Sequence, residues 1–567
     1  MKKFLSLVLF ISLFARVQAQ DPNFYIYLCF GQSNMEGNAT PEAVDKVNLD
    51  SRFQMMAATD FSNLNRTMGN WYTAYPPIVN PGSGLSVVDY FGRTMVAVLP
   101  HNIKVGIINV SIGGCGIDMF DKDNYQSQLT DPTQWSAILA NKYFGGNPYG
   151  RLIEMAKKAQ QAGVIKGILL HQGESNNMQE SWLQKVKKIY GDMLTDLNLK
   201  ADDTPLFAGE LVDAQAGGAC SGMNPIIDRL PTVVPTAHVI HSNGCPCKDD
   251  HLHFTASSYR IMGKRYALEV LRTLNVIPKV NTENTVSKEM TNFLTAQSMT
   301  VPDKLMLKVG YGSPISIKAS FADGHQEDIS REATFDIPTE APAKIEDGQL
   351  SSSDEFVQTV HADYSDLLGN SFSSPVNIEV RYFPFDKDNV SKVWDTFAYD
   401  EAARSFTIAQ YGQAGWVYPN GVDMSKYKYM VVKLKEVQTC GAQIRIFNQS
   451  SIWGASEYIK DINDATTVVI PLQSIKRQNG AAVDLSHIYI VDFWCNGGTI
   501  KVDDVYLTNN ADYTSGIAIP DSDNQTVCQR IYTLNGQYMG SYPASSLRRT
   551  LSKGVYLCNG KKVIIDR

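Results

Sequence analysis

Short, almost continuously apolar runs alternate with longer segments of helical period in the first half of the chain. The apolar runs lie at residues 25–30, 105–110, 164–170, 205–208 and 237–241. Strands of a parallel sheet that is buried on both faces have this near absence of polar residues. The segments with apolar residues every three or four positions lie at 85–98, 149–162, 178–197 and 256–274. The alternation predicts an α/β fold, in which helices cover both faces of a doubly wound parallel sheet.

The pattern changes after Pro278. Short runs of alternating apolar and polar residues follow, broken by Gly, Pro, Asn and Asp, and this pattern is typical of antiparallel β-sandwiches. We therefore predict a first domain over residues 20–277, followed by all-β sandwich domains. The later segments are predicted as a linker at 278–295, sandwiches at 296–383 and 384–510, and a short β domain at 511–567.

The first nineteen residues have the order of a secretory signal. Two lysines precede an apolar run from Phe4 to Phe14, and the small-residue end Val17-Gln18-Ala19 follows. We expect cleavage after Ala19 and export to the periplasm, the cell surface or the medium. The apolar run is too short to span a bilayer, and no later segment approaches the roughly 20 apolar residues that a membrane helix needs. No membrane insertion is expected.

Charge and cysteine content narrow the class of protein further. The chain has a formal net charge of −7, and loss of the three cations Lys2, Lys3 and Arg16 with the signal takes it to −10. Nucleic acid or an anionic membrane is therefore not the expected partner. Nine cysteines are few for a disulfide scaffold of 567 residues. Single bridges stay possible, and the candidate pairs are Cys220 with Cys245 or Cys247, Cys440 with Cys495, and Cys528 with Cys558.

A serine stands where the first strand-like run ends. The run from Tyr25 breaks abruptly into Gly31-Gln32-Ser33-Asn34. A serine hydroxyl becomes a nucleophile when an imidazole takes its proton, and the imidazole needs a carboxylate to fix its tautomer. Asp250 and His253 offer this pair at a spacing that lets the carboxylate reach Nδ1 while Nε2 faces the serine. We predict Ser33, Asp250 and His253 as the catalytic residues.

Two other predicted strand ends offer donors for an oxyanion. Gly113 and Gly114 follow the strand at 105–110, and glycines let backbone N–H groups approach a substrate closely. Gln172 follows the strand at 164–170 and carries a side-chain amide. Together with the N–H of Ser33, these groups predict an oxyanion hole of three donors.

Four motifs occur in a fixed order and carry a family resemblance. GQSNMEG from Gly31, SIGG from Ser111, HQGESN from His171 and the Asp-x-x-His from Asp250 resemble the four blocks of the SGNH hydrolases. Within that superfamily they resemble the sialate O-acetylesterase and acetylxylan esterase group, including carbohydrate esterase family six. The resemblance covers about residues 21–275.

The resemblance implies a three-layer, flavodoxin-like α/β domain. It also implies that Ser33 is the nucleophile, that Asp250 and His253 activate it, and that Ser33, Gly114 and Gln172 form the oxyanion hole. No metal and no organic cofactor are implied. Gln32, Asn34 and Glu174 lie within the same motifs and are further candidates for binding substrate.

Several of these residues have an alternative interpretation. Ser33 in isolation can be the N-cap of a helix, and Glu174 is expected to support its loop by hydrogen bonding rather than to act as the general base. His251 is the alternative imidazole. One cluster has the residue types of a zinc site but lacks a second, distant ligand pair. It consists of Cys245, Cys247, Asp249, Asp250, His251 and His253.

The segments after the first domain carry looser resemblances. Residues 296–383 resemble a bacterial immunoglobulin-like domain of group 2, and residues 384–510 resemble a galactose-binding-like jelly roll, as carbohydrate-binding modules have. Trp416 and Trp453 are flanked by Gly and polar residues and are candidates for stacking on a sugar, although aromatic residues of a sandwich more often belong to the core. The end of the chain, around Gly536 and Lys553, resembles the sorting domain of type IX secretion.

These patterns together predict an exported serine esterase that removes acetyl groups from carbohydrates. Acetylxylan or a related plant polysaccharide is the expected substrate, because an appended sandwich resembling a carbohydrate-binding module suits a large polymer. O-acetylated sialic acid is the close alternative. The alternative from another class is a glycan-binding or adhesion protein whose hydrolase-like domain is inactive.

Overall fold

The computed structural model describes residues 20–382, 385, 387–453 and 458–510, together with the backbone of four strands between 528 and 565. The predicted signal at 1–19 lies outside these residues, and so do Gly536, Lys553 and the side chains of Cys528 and Cys558.

A seven-stranded sheet organises the first domain. Its order is β3-β2-β4-β1-β5-β6-β7, and every neighbouring pair is parallel except β2 with β3. The strands are β1 (Asp21–Gly31), β2 (Phe53–Met56), β3 (Trp71–Thr73), β4 (Lys104–Ser111), β5 (Gly163–His171), β6 (Leu206–Gly209) and β7 (Ala237–Ile240).

Helices cover both faces of this sheet because its central strand is apolar on both sides. Ile26, Leu28 and Phe30 of β1 pack into one core cluster, whereas Tyr27 and Cys29 pack into the other. The helices are α1 (Ser33–Glu36), α2 (Val87–Val98), α3 (Trp135–Phe144), α4 (Pro148–Ala159), α5 (Trp182–Leu197), α6 (Asn224–Ile227), α7 (Leu230–Val233), α8 (Ala256–Thr273) and α9 (Lys288–Leu294). The predicted three-layer α/β fold is confirmed.

The region after the first domain is rich in antiparallel sheets, as predicted. Three small sheets have the orders β10-β15-β14, β12-β11-β8 and β13-β16-β17-β9, and they enclose one apolar core. Their strands are β8 (Ala296–Thr300), β9 (Lys304–Lys308), β10 (Gly312–Pro314), β11 (Lys318–Phe321), β12 (Gln326–Asp328), β13 (Thr334–Phe335), β14 (Ala343–Glu346), β15 (Gln349–Ser352), β16 (Phe356–Ser365) and β17 (Ser371–Arg381).

An eight-stranded sheet with its own core follows. The path β18-β20-β25-β21-β24 is extended by β19, which pairs with β20, by β22, which pairs with β25, and by β23, which pairs with β22. The strands are β18 (Val390–Trp394), β19 (Phe397–Asp400), β20 (Ser405–Val422), β21 (Tyr429–Leu434), β22 (Gln443–Phe447), β23 (Tyr458–Asp461), β24 (Thr467–Pro471) and β25 (Ile488–Thr508). A last sheet contains β26 (Cys528–Thr533), β27 (Tyr538–Pro543), β28 (Gly554–Cys558) and β29 (Lys561–Ile565).

The segment predicted as a linker, 278–295, contains helix α9 and packs on the first domain. Phe293 of α9 contacts Tyr90 of α2 edge to face, with ring centroids 4.8 Å apart. Lys264 of α8 forms a buried ion pair with Glu327 of β12. An unpaired buried charge would be costly, so this pair favours one placement of the three-sheet unit that contains β12 against the first domain.

Two of the candidate disulfides are not formed in the structure. Cys220, Cys245 and Cys247 are free thiols, and Cys440 and Cys495 are free as well. A hydrogen bond between their side chains shows that Cys440 and Cys495 lie side by side. Among the residues that the structure describes, no helix combines the length and the apolar character needed to cross a bilayer.

Candidate active site

The sheet order brings three predicted motifs to one edge. Strand β1 lies between β4 and β5, so the C-terminal ends of these three parallel strands meet. Gly31 ends β1 in such close contact with β5 that a Cβ there would lie 2.1 Å from the His171 carbonyl oxygen. The Gln32 N–H then donates to the same oxygen at 3.0 Å. Ser33 begins α1 at this edge and is half-buried.

Ser33, His253 and Asp250 form a continuous chain of hydrogen bonds. Ser33 Oγ lies 2.9 Å from His253 Nε2, and His253 Nδ1 lies 2.8 Å from Asp250 Oδ2. The other carboxylate oxygen, Asp250 Oδ1, accepts from the backbone N–H groups of Leu252 and His253 at 3.0 and 2.9 Å. The short turn between Asp250 and His253 therefore holds the carboxylate against the imidazole.

These contacts keep Asp250 ionised. Partial burial raises the pKa of the carboxyl, but the hydrogen bonds from the His253 ring and from two backbone N–H groups outweigh burial and lower the pKa to about 2. A charged carboxylate at Nδ1 stabilises an imidazolium, which forms when His253 takes a proton at Nε2.

Asn34 joins the serine loop to the histidine loop. Its Nδ2 donates to Glu174 Oε1 at 2.6 Å and to the Leu252 carbonyl at 3.0 Å, and its Oδ1 accepts from the Tyr259 hydroxyl at 2.6 Å. Asn34 is fully buried. The predicted substrate-binding role does not fit this position, because both ends of the amide hold protein groups; Asn34 positions Ser33 relative to His253.

The backbone N–H groups of Gly113 and Gly114 have different surroundings. Gly113 donates to Glu36 Oε2 at 2.6 Å, while Asn80 donates to Glu36 Oε1 at 2.6 Å. Gly114 has a φ of +76°, and a Cβ there would meet no atom within 4 Å, so it faces open space. The structure describes no acceptor for the Gly114 N–H, which is the glycine predicted to donate to an oxyanion.

The Gln172 amide is not available as an oxyanion donor, and this part of the prediction is wrong. Gln172 is fully buried. Its Nε2 contacts three acceptors, Asn176 Oδ1 at 2.8 Å, Gln32 Oε1 at 3.1 Å and the Cys115 carbonyl at 3.3 Å, while its Oε1 accepts from Trp182 Nε1 at 2.5 Å. An NH2 group has two protons, so these contacts use both. Gln172 positions its neighbours instead.

The orientation of the Gln32 amide is fixed by groups that can only donate. The backbone N–H groups of Gly173 and Ser175 lie 3.3 and 3.2 Å from Gln32 Oε1. The Nε2 of Gln32 therefore points away from them, and no described residue accepts from it. Gln32, which precedes Ser33 in the chain, thus carries an oriented amide donor.

Glu174 supports the loop, as predicted, and its carboxyl is buried. Its Oε2 has no partner among the described residues. Burial raises the pKa of Glu174 to about 7, although the hydrogen bond from Asn34 lowers it in part. The unfolded chain releases this proton near pH 4.5, whereas the folded chain holds it until about pH 7. The contribution of Glu174 to stability therefore falls as pH rises between these values.

We expect Glu174→Gln to flatten that pH dependence. A glutamine carbonyl can still accept from Asn34, but it has no proton to lose. The unfolding free energy of Glu174→Gln minus that of the wild type should therefore increase from pH 5 to pH 8, by an amount on the order of 2 to 3 kcal/mol. Urea unfolding at both pH values measures it. Glu154→Gln, at an exposed glutamate, is the control, and the same pH slope in both variants would contradict the assignment.

The other histidine and the thiols of the last motif are engaged elsewhere. His251 Nδ1 lies 3.0 Å from the Gly217 carbonyl, and Cys247 Sγ lies 3.1 Å from the Ala216 carbonyl. Cys245 is fully buried and contacts Arg265. Of the two histidines in this motif, His253 is the one that contacts Ser33, so the alternative base His251 is not supported.

Two groups of side chains elsewhere have the spacing of a cation site. Asp121, Asp123 and Asp192 form one group, but the Lys188 ammonium already lies 2.7 to 2.9 Å from all three. The other group consists of Glu210, Asp228 and His241, in which His241 Nδ1 lies 3.1 Å from Glu210 Oε1. Neither group includes Ser33, Asp250 or His253, here named the Ser33 cluster.

Of the two tryptophans predicted to contact sugar, Trp416 is buried and Trp453 is exposed. Trp416 is only 3% exposed and belongs to the core of the eight-stranded sheet, so its predicted contact with sugar is wrong. Trp453 is 69% exposed. Sequence reasoning missed Trp135, which is 65% exposed at the start of α3, and whose Nε1 would lie 3.5 Å from a Cβ on Gly113. An exposed indole beside the glycine pair suits the flat face of a sugar.

Comparison with known proteins agrees with this geometry. Residues 23–272 match the family model described as carbohydrate esterase, sialic acid-specific acetylesterase. Similar solved structures include a protein from Arabidopsis thaliana (18% identity, 44% of this chain and 99% of that one, TM-score 0.34) and NanS (14%, 45% and 98%, TM-score 0.34). A carbohydrate acetylesterase from Xanthomonas citri is a third (17%, 62% and 79%, TM-score 0.32). TM-scores this low do not add to the family match.

The family match covers the whole segment that contains Ser33, Gly114, Asp250 and His253. The first domain of this chain therefore matches the carbohydrate esterase family of sialic acid-specific acetylesterases, and this match supports a carbohydrate acetylesterase, a carboxylic ester hydrolase.

Proposed function

We propose that this chain is an exported esterase that deacetylates a neutral polysaccharide by a Ser-His-Asp mechanism. The observation that carries the mechanism is the chain of hydrogen bonds from Ser33 Oγ through His253 to Asp250, at 2.9 and 2.8 Å. The predicted signal at residues 1–19 is the argument for export.

The reaction has two halves. Ser33 Oγ attacks the acetyl carbonyl while His253 Nε2 takes its proton, and the same proton passes to the departing sugar hydroxyl as the ester C–O bond breaks. A water that gives its proton to His253 then attacks the acetyl-serine carbonyl, and acetate leaves as Ser33 regains its proton. Asp250 stabilises the imidazolium in both halves.

The oxyanion formed in each half needs preorganised donors. The backbone N–H groups of Ser33 and Gly114 are two, since neither has an acceptor among the described residues. Gln32 Nε2 is the candidate for the third place, the one predicted for Gln172, because Gln32 Oε1 is held by Gly173 and Ser175 and no described residue accepts from Nε2. Each such donor is typically worth ~100- to 1000-fold in rate.

The charge around the serine favours a neutral sugar. Three carboxyl groups bond into the site, those of Glu36, Glu174 and Asp250. Burial raises the pKa of the first two, so the negative charge that supports this argument is that of Asp250. Sialic acid carries a carboxylate of its own, which the Asp250 carboxylate repels. The xylose backbone of an acetylated xylan has no such charge. O-acetylated sialic acid stays the second candidate, because the matching family model is described as sialic acid-specific.

Acetate release from the two substrates tests the proposal. The chain lacking residues 1–19 is incubated with acetylated xylan and with O-acetylated sialic acid, and Ser33→Ala is the blank. We expect faster release from xylan. Faster release from sialate would replace the proposed substrate with the second candidate, and release from neither would contradict both.

A further inference from the structure

One face of the eight-stranded sheet carries side chains that the core does not use. Along β25, Val491, Phe493 and Cys495 pack into the core, so the alternating residues Asp492 and Trp494 point to the opposite face. Residues that pair across antiparallel strands share a face. The pairing partners of Asp492 and Trp494 therefore map this outer face.

Four aromatic rings gather on it. Trp494 pairs with Gln413 of β20, and Trp394 of β18 pairs with the same Gln413. Tyr411 stacks on Trp494 with ring centroids 6.1 Å apart, and Trp453 meets Trp394 edge to face at 5.0 Å. Trp394, Tyr411, Trp453 and Trp494, here named the aromatic platform, thus form two ring pairs beside Gln413.

Three of the four rings of the aromatic platform are open to solvent, and Trp494 is half-buried. Trp394 is 44% exposed, Tyr411 57% and Trp453 69%. Large exposed aromatic side chains that cluster on one surface mark a binding site more often than chance, whereas single exposed ones need no explanation. Their position on three separate segments, β18, β20 and the loop after β22, shows that the fold assembles the cluster.

A layer of polar groups lies beside these rings. In the amide orientation that satisfies both neighbours, Gln413 donates to Asp492 Oδ2 at 3.0 Å and accepts from Arg445 at 3.1 Å. The Arg445 guanidinium lies 4.9 Å from the centre of the Trp494 ring and donates to Gln443 Oε1 at 2.9 Å. Gln413 and Asp492 are buried, whereas Gln443 and Arg445 are half-buried and offer an amide and a guanidinium, which suit a ligand rich in hydroxyl groups better than an apolar partner.

We propose that the aromatic platform is a non-catalytic binding site for a neutral polysaccharide. The C–H groups on one face of a pyranose ring pack against the negative face of an aromatic ring, while hydroxyl groups at the sugar's edge bond to side chains such as Gln443 and Arg445. Two ring pairs provide contacts for more than one sugar of a chain. This site goes beyond the esterase reaction, since none of its residues belongs to the Ser33 cluster.

Binding in the absence of hydrolysis tests the site. The chain lacking residues 1–19 and carrying Ser33→Ala is run through native gels that contain soluble xylan, glucomannan or galactan. We expect retardation by at least one of the three. Adding Trp394→Ala with Trp453→Ala, or Tyr411→Ala alone, should raise the dissociation constant by at least about tenfold.

Tyr311→Ala is the matched control, because Tyr311 is also a 60% exposed aromatic residue but lies on the three-sheet unit that contains β12. Unchanged melting temperatures show that the variants fold. With Ser33 restored, the platform variants should hydrolyse an aryl acetate at the wild-type rate, so a failure of binding is distinguishable from a failure of the esterase mechanism. Absence of retardation by all three polymers, or equal retardation of platform and control variants, would overturn the proposal.

Discussion

Replacement of Ser33 by alanine is expected to lower kcat for an aryl acetate by about 10⁴- to 10⁶-fold. The substitution removes the Ser33 Oγ that lies 2.9 Å from His253 Nε2, so the imidazole has no hydroxyl to deprotonate. Oxyanion donors and the binding surface persist and account for whatever activity is left. Initial rates at pH 7 and the melting temperature measure the two effects separately, and the melting temperature should not change.

Ser181→Ala is the matched control for this variant. Ser181 is exposed in the same domain, before α5, and its side chain caps no helix N–H, so its loss should leave kcat unchanged. If Ser33→Ala kept more than about a tenth of the wild-type rate, Ser33 would not be the nucleophile. The family assignment would then stand without the proposed mechanism.

The α/β fold could be predicted because the strands and helices of each layer have recognisable patterns of apolar residues in the sequence. A strand that is buried on both faces, such as β1, must be apolar at nearly every position, and its alternate residues do pack into two different cores. Strands β2 and β3 escaped prediction because they have only four and three residues. Each includes a polar residue, Gln54 or Thr73, so neither forms a continuous apolar run that stands out in the sequence.

The candidate triad was predictable for a local reason. Asp250 and His253 lie on one turn, where spacing alone decides whether a carboxylate reaches an imidazole. The Gln172 prediction failed because its outcome depends on partners far away in the chain. Trp182, Asn176 and Gln32 occupy both ends of its amide, and no local pattern reveals that competition.

The exposure of the tryptophans in the eight-stranded sheet also depends on residues far away in the chain. Trp416 and Trp453 have similar neighbours in sequence, yet Trp416 lies in the core and Trp453 is exposed. Which face of β20 is buried depends on its register with β25, and that register pairs residues from 66 positions apart (Val422 with Ile488) to 96 positions apart (Ser405 with Lys501). A sequence pattern of period two shows that a strand has two faces but not which of them is covered.

Replacement of Asp250 by asparagine is expected to lower kcat at pH 7 by about 10⁴-fold. The amide oxygen of the new side chain can still accept from the N–H groups of Leu252 and His253, so the turn should keep its shape. The amide NH2 would face His253 Nδ1 in place of the carboxylate. A donor there requires Nδ1 to be the unprotonated nitrogen, which places the ring proton on Nε2. The imidazole would then donate to Ser33 rather than accept from it.

Asp249→Asn separates this effect from a simple loss of charge. Asp249 is the exposed neighbour of Asp250, so its replacement changes the net charge equally without touching the imidazole, and kcat should stay at the wild-type value. The loss in Asp250→Asn should appear in kcat rather than KM, because Asp250 acts on the proton transfer and not on the sugar. Full activity in Asp250→Asn would mean that another group orients His253. Since the pKa of Asp250 is about 2, its carboxylate is charged throughout the pH range of such assays, and only the substitution can remove its effect.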